Sequence, residues 1–187
     1  ISSHVSDGEE VTGSLTISCA PGLANYWLCH KIAAFTKKYP KLSLHILSPS
    51  FPGDISNEDV DLFITYGNGS WPEKYVKQLM TIRLFPVCSP HFFHQQGGLG
   101  HPSNLIKMPL LHLMSNTDWR VWLAANGVSN TQVEGGVVFS DANFVQSAAI
   151  AGQGIAIGDN MVSGDALAKG LLIRPFEKSI ESPRAYY

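Results

Sequence analysis

The sequence is short of charge and has no long apolar run, and each shortage closes off a class of function. Only 15% of its 187 residues are Asp, Glu, Lys or Arg, and the net charge is −2. There is no Lys/Arg run or basic stripe, so the chain lacks the clustered positive charge that neutralises phosphates. DNA recognition is not expected from these residues. No apolar stretch reaches the ~18 residues of a membrane span. The start, Ile1 to Val11, is polar without an apolar core, so no signal peptide is expected in the chain as it stands. Cysteine is scarce. Cys19, Cys29 and Cys88 are odd in number and widely spaced, which does not read as a disulfide framework. They read as three reduced thiols packed like small hydrophobes, which points to the cytoplasm. His91 and His94 are the one close histidine pair, and no further ligands stand at metal-site spacing, so no metal is expected.

Catalytic signatures are missing too. No G-x-S-x-G elbow, H-E-x-x-H, C-x-x-C or P-loop occurs, and no nucleophile is set beside a base. Neither an enzyme nor a cofactor is expected. Gly152, Gly154 and Gly158 tempt a nucleotide reading, but the local order is helix, glycine turn, strand, the reverse of the dinucleotide fingerprint. They read instead as a helix stop and a tight turn.

What is present is a core-forming pattern, 44% hydrophobic, with strands and helices in alternation. Ser14 to Cys19 and Leu42 to Leu47 alternate as strands. Between them Trp27, Leu28, Ile32 and Phe35 recur at helical spacing over Leu23 to Tyr39, and Pro40 ends that helix. Ser48 to Asn57 reads as loop. Asp61 to Thr65 reads as a buried parallel strand, with Asp59 and Asp61 solvating its entry. The β-α-β-β order implies a mainly parallel sheet. Val76 to Ile82 and Leu84 to Cys88 read as extended, and Ser89-Pro90 opens a short helix. Pro109 to Leu113, Val137 to Phe139, Ile155 to Ile157 and Leu171 to Arg174 read as strands. Asp118 to Asn126, Asp141 to Ala151 and Ala166 to Lys169 read as helices. Trp27, Trp119 and Trp122 are read as packing residues, and Trp71 as a candidate for the mouth of a cleft.

Two helix starts carry the functional reading. Ser140 or Asp141 can cap one helix, and Gly22 opens the other with no bulky side chain over its first amides. Free N–H groups and about half a positive charge make such ends receptive to anions. Both follow strands, so both belong on the ligand-binding side of an open α/β sheet. Gly22 is expected at an exposed helix edge. The residues read as ligand-binding are Ala20, Pro21, Gly22, Ser48, Tyr66, Gly67, Ser140 and Asp141. Gly22 and Ser140 would meet an acidic group, and Asp141 would accept from an amine.

Read as an ordered series, these stretches resemble the effector-binding domain of LysR-type transcriptional regulators, in the branch of the glycine-cleavage activator and β-lactamase regulators. The carrying residues are Gly13 to Ser18, Trp27-Leu28, Phe35 with Tyr39-Pro40, and Asp61-Leu-Phe-Ile with Tyr66-Gly67, Gly69 and Trp71. Pro86 to Pro90, Leu110 to His112, Trp119 with Trp122-Leu123, Ala148 to Ala156, Leu171 to Phe176 and Ala185 to Tyr187 complete it. The resemblance implies two Rossmann-like α/β lobes around a central cleft, periplasmic-binding-protein type 2-like. Lobe I would be 1–84 with 183–187 returning to it, and lobe II 85–182. It also implies a small polar effector, amino-acid-like or peptide-like, between the lobes, and a homodimer or tetramer. DNA would be met only through an N-terminal winged helix-turn-helix not in this chain, and the rest of the strand begun at Ala185 to Tyr187 and a final helix of lobe I would follow. Many members carry Arg where Thr65 stands and an acid where Asn68 stands, and the Ser48 to Asp59 connection is shorter here. The rival reading is an extracytoplasmic solute-binding protein for transport, which shares the fold.

Overall fold

Alternation sets the first sheet. In β1 (Gly13–Cys19) the two-residue period sends Leu15, Ile17 and Cys19 to one face, where Leu23 and Leu28 cover them. The computed structural model describes residues 11–72, 74–128, 133 and 135–187, so the polar start, apart from Val11, lies outside the described residues. β1 is flanked in parallel by β2 (Leu42–Leu47) and β3 (Leu62–Ile64), in the order β2-β1-β3. The parallel sheet is as expected, but β3 is an edge strand with Leu62 47% exposed, not a buried one. Asp61 does more than solvate its entry, because its carboxylate accepts the Thr16 N–H (2.9 Å).

The first helix is less regular than its apolar spacing predicts. α1 (Pro21–Leu23) widens into a π turn over Ala24–Leu28, tightens to a 3₁₀ turn over Cys29–Lys31 and resumes as α2 (Ile32–Lys38). The Cys29 N–H reaches back to the Ala24 carbonyl, five residues away, which inserts one residue into the turn. Cys29 ends exposed, unlike buried Cys19 and Cys88, so only two of the three thiols pack as hydrophobes.

β4 (Tyr66–Gly67) pairs antiparallel with β10 (Ala185–Tyr186), which brings the end of the chain back beside the first sheet. The 76–82 stretch gains only a single bridge, Met80 to Tyr186. An extended run becomes a strand only where a partner strand continues the ladder, and β10 is two residues long.

The larger sheet has the order β7-β6-β8-β5-β9. β5 (Arg83–Val87) and β9 (Ile180–Glu181) run antiparallel, and the Ser182 N–H donates to the Ile82 carbonyl (2.8 Å). These two passages carry the chain from one sheet to the other and back. β9 has no apolar run, and sequence reasoning missed it. β6 (Leu110–Leu113) lies parallel to β7 (Val137–Phe139) and β8 (Ile155–Asp159). Leu171 to Arg174 is not a strand. Ile173 makes one bridge to Cys88, while Leu171 and Leu172 both bond the Ala166 carbonyl and curl back on the preceding helix.

Adjacent residues of this sheet face opposite ways, so it carries a core on each side. Cys88, Leu110 and Ile155 join Trp119, Trp122 and Leu123 of α4 (Thr117–Ala125). Val87, Leu111 and Ala156 join Val145 and Ala149 of α5 (Ala142–Ile150) and Ala166 of α6 (Gly164–Ala168). Trp119 and Trp122 are core residues, each with a satisfied indole N–H: Trp119 donates to the Leu111 carbonyl (3.1 Å) and Trp122 to that of Lys178 (3.2 Å). An aromatic burying ~150–250 Å² at ~25 cal/mol/Å² contributes about 4–6 kcal/mol before entropy is counted. α3 (Pro90–Gln95) starts as predicted, with the Ser89 hydroxyl accepting the Phe92 N–H (3.1 Å). The glycine reading also holds. Gly152 stops α5 at φ 75°, and a side chain on Gly154 would stand 2.4 Å from the Pro109 carbonyl oxygen.

Candidate functional site

The ends of the parallel strands converge on one cavity of about 470 Å³. Ala20, Pro21 and Gly22 enter from β1, Pro49 to Asp54 from β2, Thr65 and Tyr66 from β3, Met114 and Ser115 from β6, and Ser140 to Ala142 from β7. This is the side on which open α/β sheets bind ligands, because helix N-termini follow the strands there.

Of the eight residues picked from the sequence, Ala20, Pro21, Gly22, Tyr66, Ser140 and Asp141 line the cavity. Ser48 and Gly67 do not. Ser48 is exposed ahead of the lining loop, and the Trp71 ring lies 2.7 Å from where a Gly67 side chain would start. Trp71 is not among the lining residues and packs edge-on against Tyr187 at 5.5 Å.

The two helix starts meet. Asp141, not Ser140, caps α5: its Oδ1 accepts the Asn143 N–H (2.8 Å) and the Asn143 side-chain amide (2.7 Å). The Asn25 amide then donates to Asn143 Oδ1 (3.0 Å), joining the first helix to α5. Gly22 is buried rather than at an exposed edge, and a Cβ there would lie 2.8 Å from the Cβ of Ala142. A glycine is what lets the two helix ends touch. Pro21 has no N–H, so the amides of Gly22 and Leu23 are those left open at the first helix start.

Residues that sequence reasoning did not select complete the walls. The Arg184 guanidinium lies over the Tyr66 ring at 5.1 Å. The Ser182 hydroxyl ties both down, bonding the Tyr66 hydroxyl (2.6 Å) and accepting the Arg184 N–H (3.1 Å). Burial raises the Tyr66 pKa. Asp118, in the first turn of α4, lines the same cavity. Burial raises its pKa, and the Arg184 charge opposes the rise. Outside the lining, burial raises the pKa of Asp159 although its Oδ1 accepts the N–H groups of Met161 (2.6 Å) and Val162 (2.8 Å). Met114 holds φ 62°, a left-handed backbone costing roughly 1–3 kcal/mol, set by its bond to the Phe139 carbonyl (2.8 Å). In sequence Asp118 looks like a helix-start acid and Arg184 like a surface cation. Nothing local marks either as facing a cleft.

Comparison with known proteins places this architecture. The profile of the LysR substrate binding domain matches residues 8–187. The glycine cleavage system transcriptional activator of Escherichia coli K12 is 35% identical over 175 residues, covering 94% of this chain and 57% of the relative. The chain thus spans somewhat over half the length of that protein. The effector binding domain of AmpR from Citrobacter freundii superposes with a TM-score of 0.83 at 26% identity, over 94% of this chain and 86% of that one. The effector domain of AmpR from Pseudomonas aeruginosa gives 0.82 at 25%, over 93% and 83%. The fold is the expected one, two α/β lobes of the periplasmic-binding-protein type 2 kind around a cleft. The chain belongs to the LysR substrate-binding domain family.

Proposed function

We propose that this chain is the effector-binding domain of a cytoplasmic LysR-type transcription regulator and that it senses a small polar molecule in the cavity. Lobe I then ends near 84 and is rejoined by 183–187, and 85–182 form lobe II. The carrying observation is the cavity itself: about 470 Å³, walled by strand ends of both sheets, with a cation, Arg184, and an acid, Asp118, on its lining. That combination suits a molecule bearing both charges, such as an amino acid or a short peptide. An effector can bias lobe closure only by its differential affinity for the two arrangements. Closure would reposition DNA-binding modules that are not in this sequence, in a homodimer or tetramer.

The test is a thermal-shift and calorimetric screen of glycine, both enantiomers of alanine and serine, and alanyl dipeptides. At least one is expected to bind saturably, and at 100 times its Kd to stabilise the fold by about 2.7 kcal/mol. No saturable binder in the panel refutes this ligand class. This chain alone is expected to leave promoter DNA unbound at physiological salt. A promoter Kd below about 10⁻⁷ M would place the DNA reader within these residues.

A further inference from the structure

We infer that Asp118, and not Asp141, is the residue that selects effectors bearing a free ammonium group, while Arg184 takes the acidic end of the same molecule. This rests on the reading of the cavity as the effector site. Two acids of lobe II line the cavity, and the structure separates their roles. Asp141 is committed to its own helix, with Oδ1 held by the backbone and side chain of Asn143. The Asp118 carboxylate lines the same cavity and, among the described residues, has no hydrogen bond or ion pair. It is nonetheless partly buried, and that burial raises its pKa. A carboxylate so placed gains most from a partner that brings charge and donors together.

The nearest cation does not fill that role. Arg184 influences Asp118 electrostatically but forms no ion pair with it. Its backbone N–H is fixed by the Ser182 hydroxyl (3.1 Å) and its guanidinium by the Tyr66 face (5.1 Å). The two charges therefore share the cavity lining without contacting each other. A ligand that joins them needs a compact donor group for Asp118 and an acceptor group for Arg184. A primary ammonium supplies three donors, and a carboxylate matches the guanidinium fork. Capping the amine by acylation removes the charge that Asp118 is placed to meet.

The experiment measures binding of each free amino acid of the panel beside its N-acetyl counterpart, in wild type and in Asp118→Asn. In wild type the free amine is expected to bind about tenfold or more tighter than the acetylated form. That preference should collapse toward unity in Asp118→Asn and persist in Asp141→Asn. Asp118→Ser, which suits a helix start, repeats the measurement, and circular dichroism checks that each variant is folded. If wild type binds both forms equally, or Asp118→Asn and Asp118→Ser keep the preference, the inference is overturned. The same holds if Asp141→Asn abolishes the preference. If no panel member binds wild type, the effector reading fails first and this inference falls with it.

Discussion

Replacing Gly22 with alanine probes the contact on which closure depends. The new methyl would stand 2.8 Å from Ala142 Cβ, whereas carbon atoms pack at about 3.5–4.0 Å. The helix starts must therefore part by roughly 1 Å. No flexible side-chain end can yield, because the clash is Cβ against Cβ. The same movement stretches the Asn25–Asn143 bond from 3.0 Å to a length at which it no longer counts. Overpacking of this kind costs typically ~1–3 kcal/mol. The contact joins one lobe to the other, so the cheapest relief is to open the cleft, not to strain either core. A bias of ~1–3 kcal/mol against the closed arrangement weakens effector binding by roughly 5- to 150-fold. Titration calorimetry with a ligand that binds wild type reads the affinity, and small-angle scattering reads the opening. Adding Ala142→Gly moves the methyl across the interface and should restore most of the lost affinity. Wild-type affinity in Gly22→Ala, or a loss that Ala142→Gly does not relieve, would refute the reasoning.

Asp118→Asn should raise the melting temperature of the ligand-free domain at pH 7. The folded-state pKa is raised, so the protonated acid is favoured in the fold and stability falls as pH climbs from the ordinary carboxylate range through the raised value. The variant's advantage should fade toward pH 4, and a melting difference independent of pH would contradict this. Tyr66→Phe leaves the Ser182 hydroxyl without its 2.6 Å partner and should cost about 0.5–1.5 kcal/mol in urea unfolding, with weaker effector binding as Arg184 loosens. An unchanged midpoint and affinity would count against that network. Cys29 should react with a thiol reagent at pH 8 well before Cys19 and Cys88, whose thiols burial pushes up to about 12 and about 11. Equal rates for all three in the native protein would show that Cys19 and Cys88 are not enclosed.

Local chemistry already determined most of the elements. Period-two alternation specifies β1 and β2, Ser89-Pro90 starts α3, Asp141 caps α5, and Gly152 ends it, because each depends on neighbours within a few residues. The strand-then-helix order likewise puts Ala20 to Gly22 and Ser140-Asp141 on the cleft side. What the sequence could not supply were properties of partners far along the chain. Whether 76–82, 171–174 or 180–181 becomes a strand depends on which edge it meets, and a ladder needs two strands. The burial of Gly22 against Ala142 joins positions about 120 residues apart. The meeting of Asp118 and Arg184 on one cavity lining is likewise tertiary. In sequence each is an ordinary charged residue, and only the fold brings both to one cavity and partly buries Asp118, where charge counts for more than in open water.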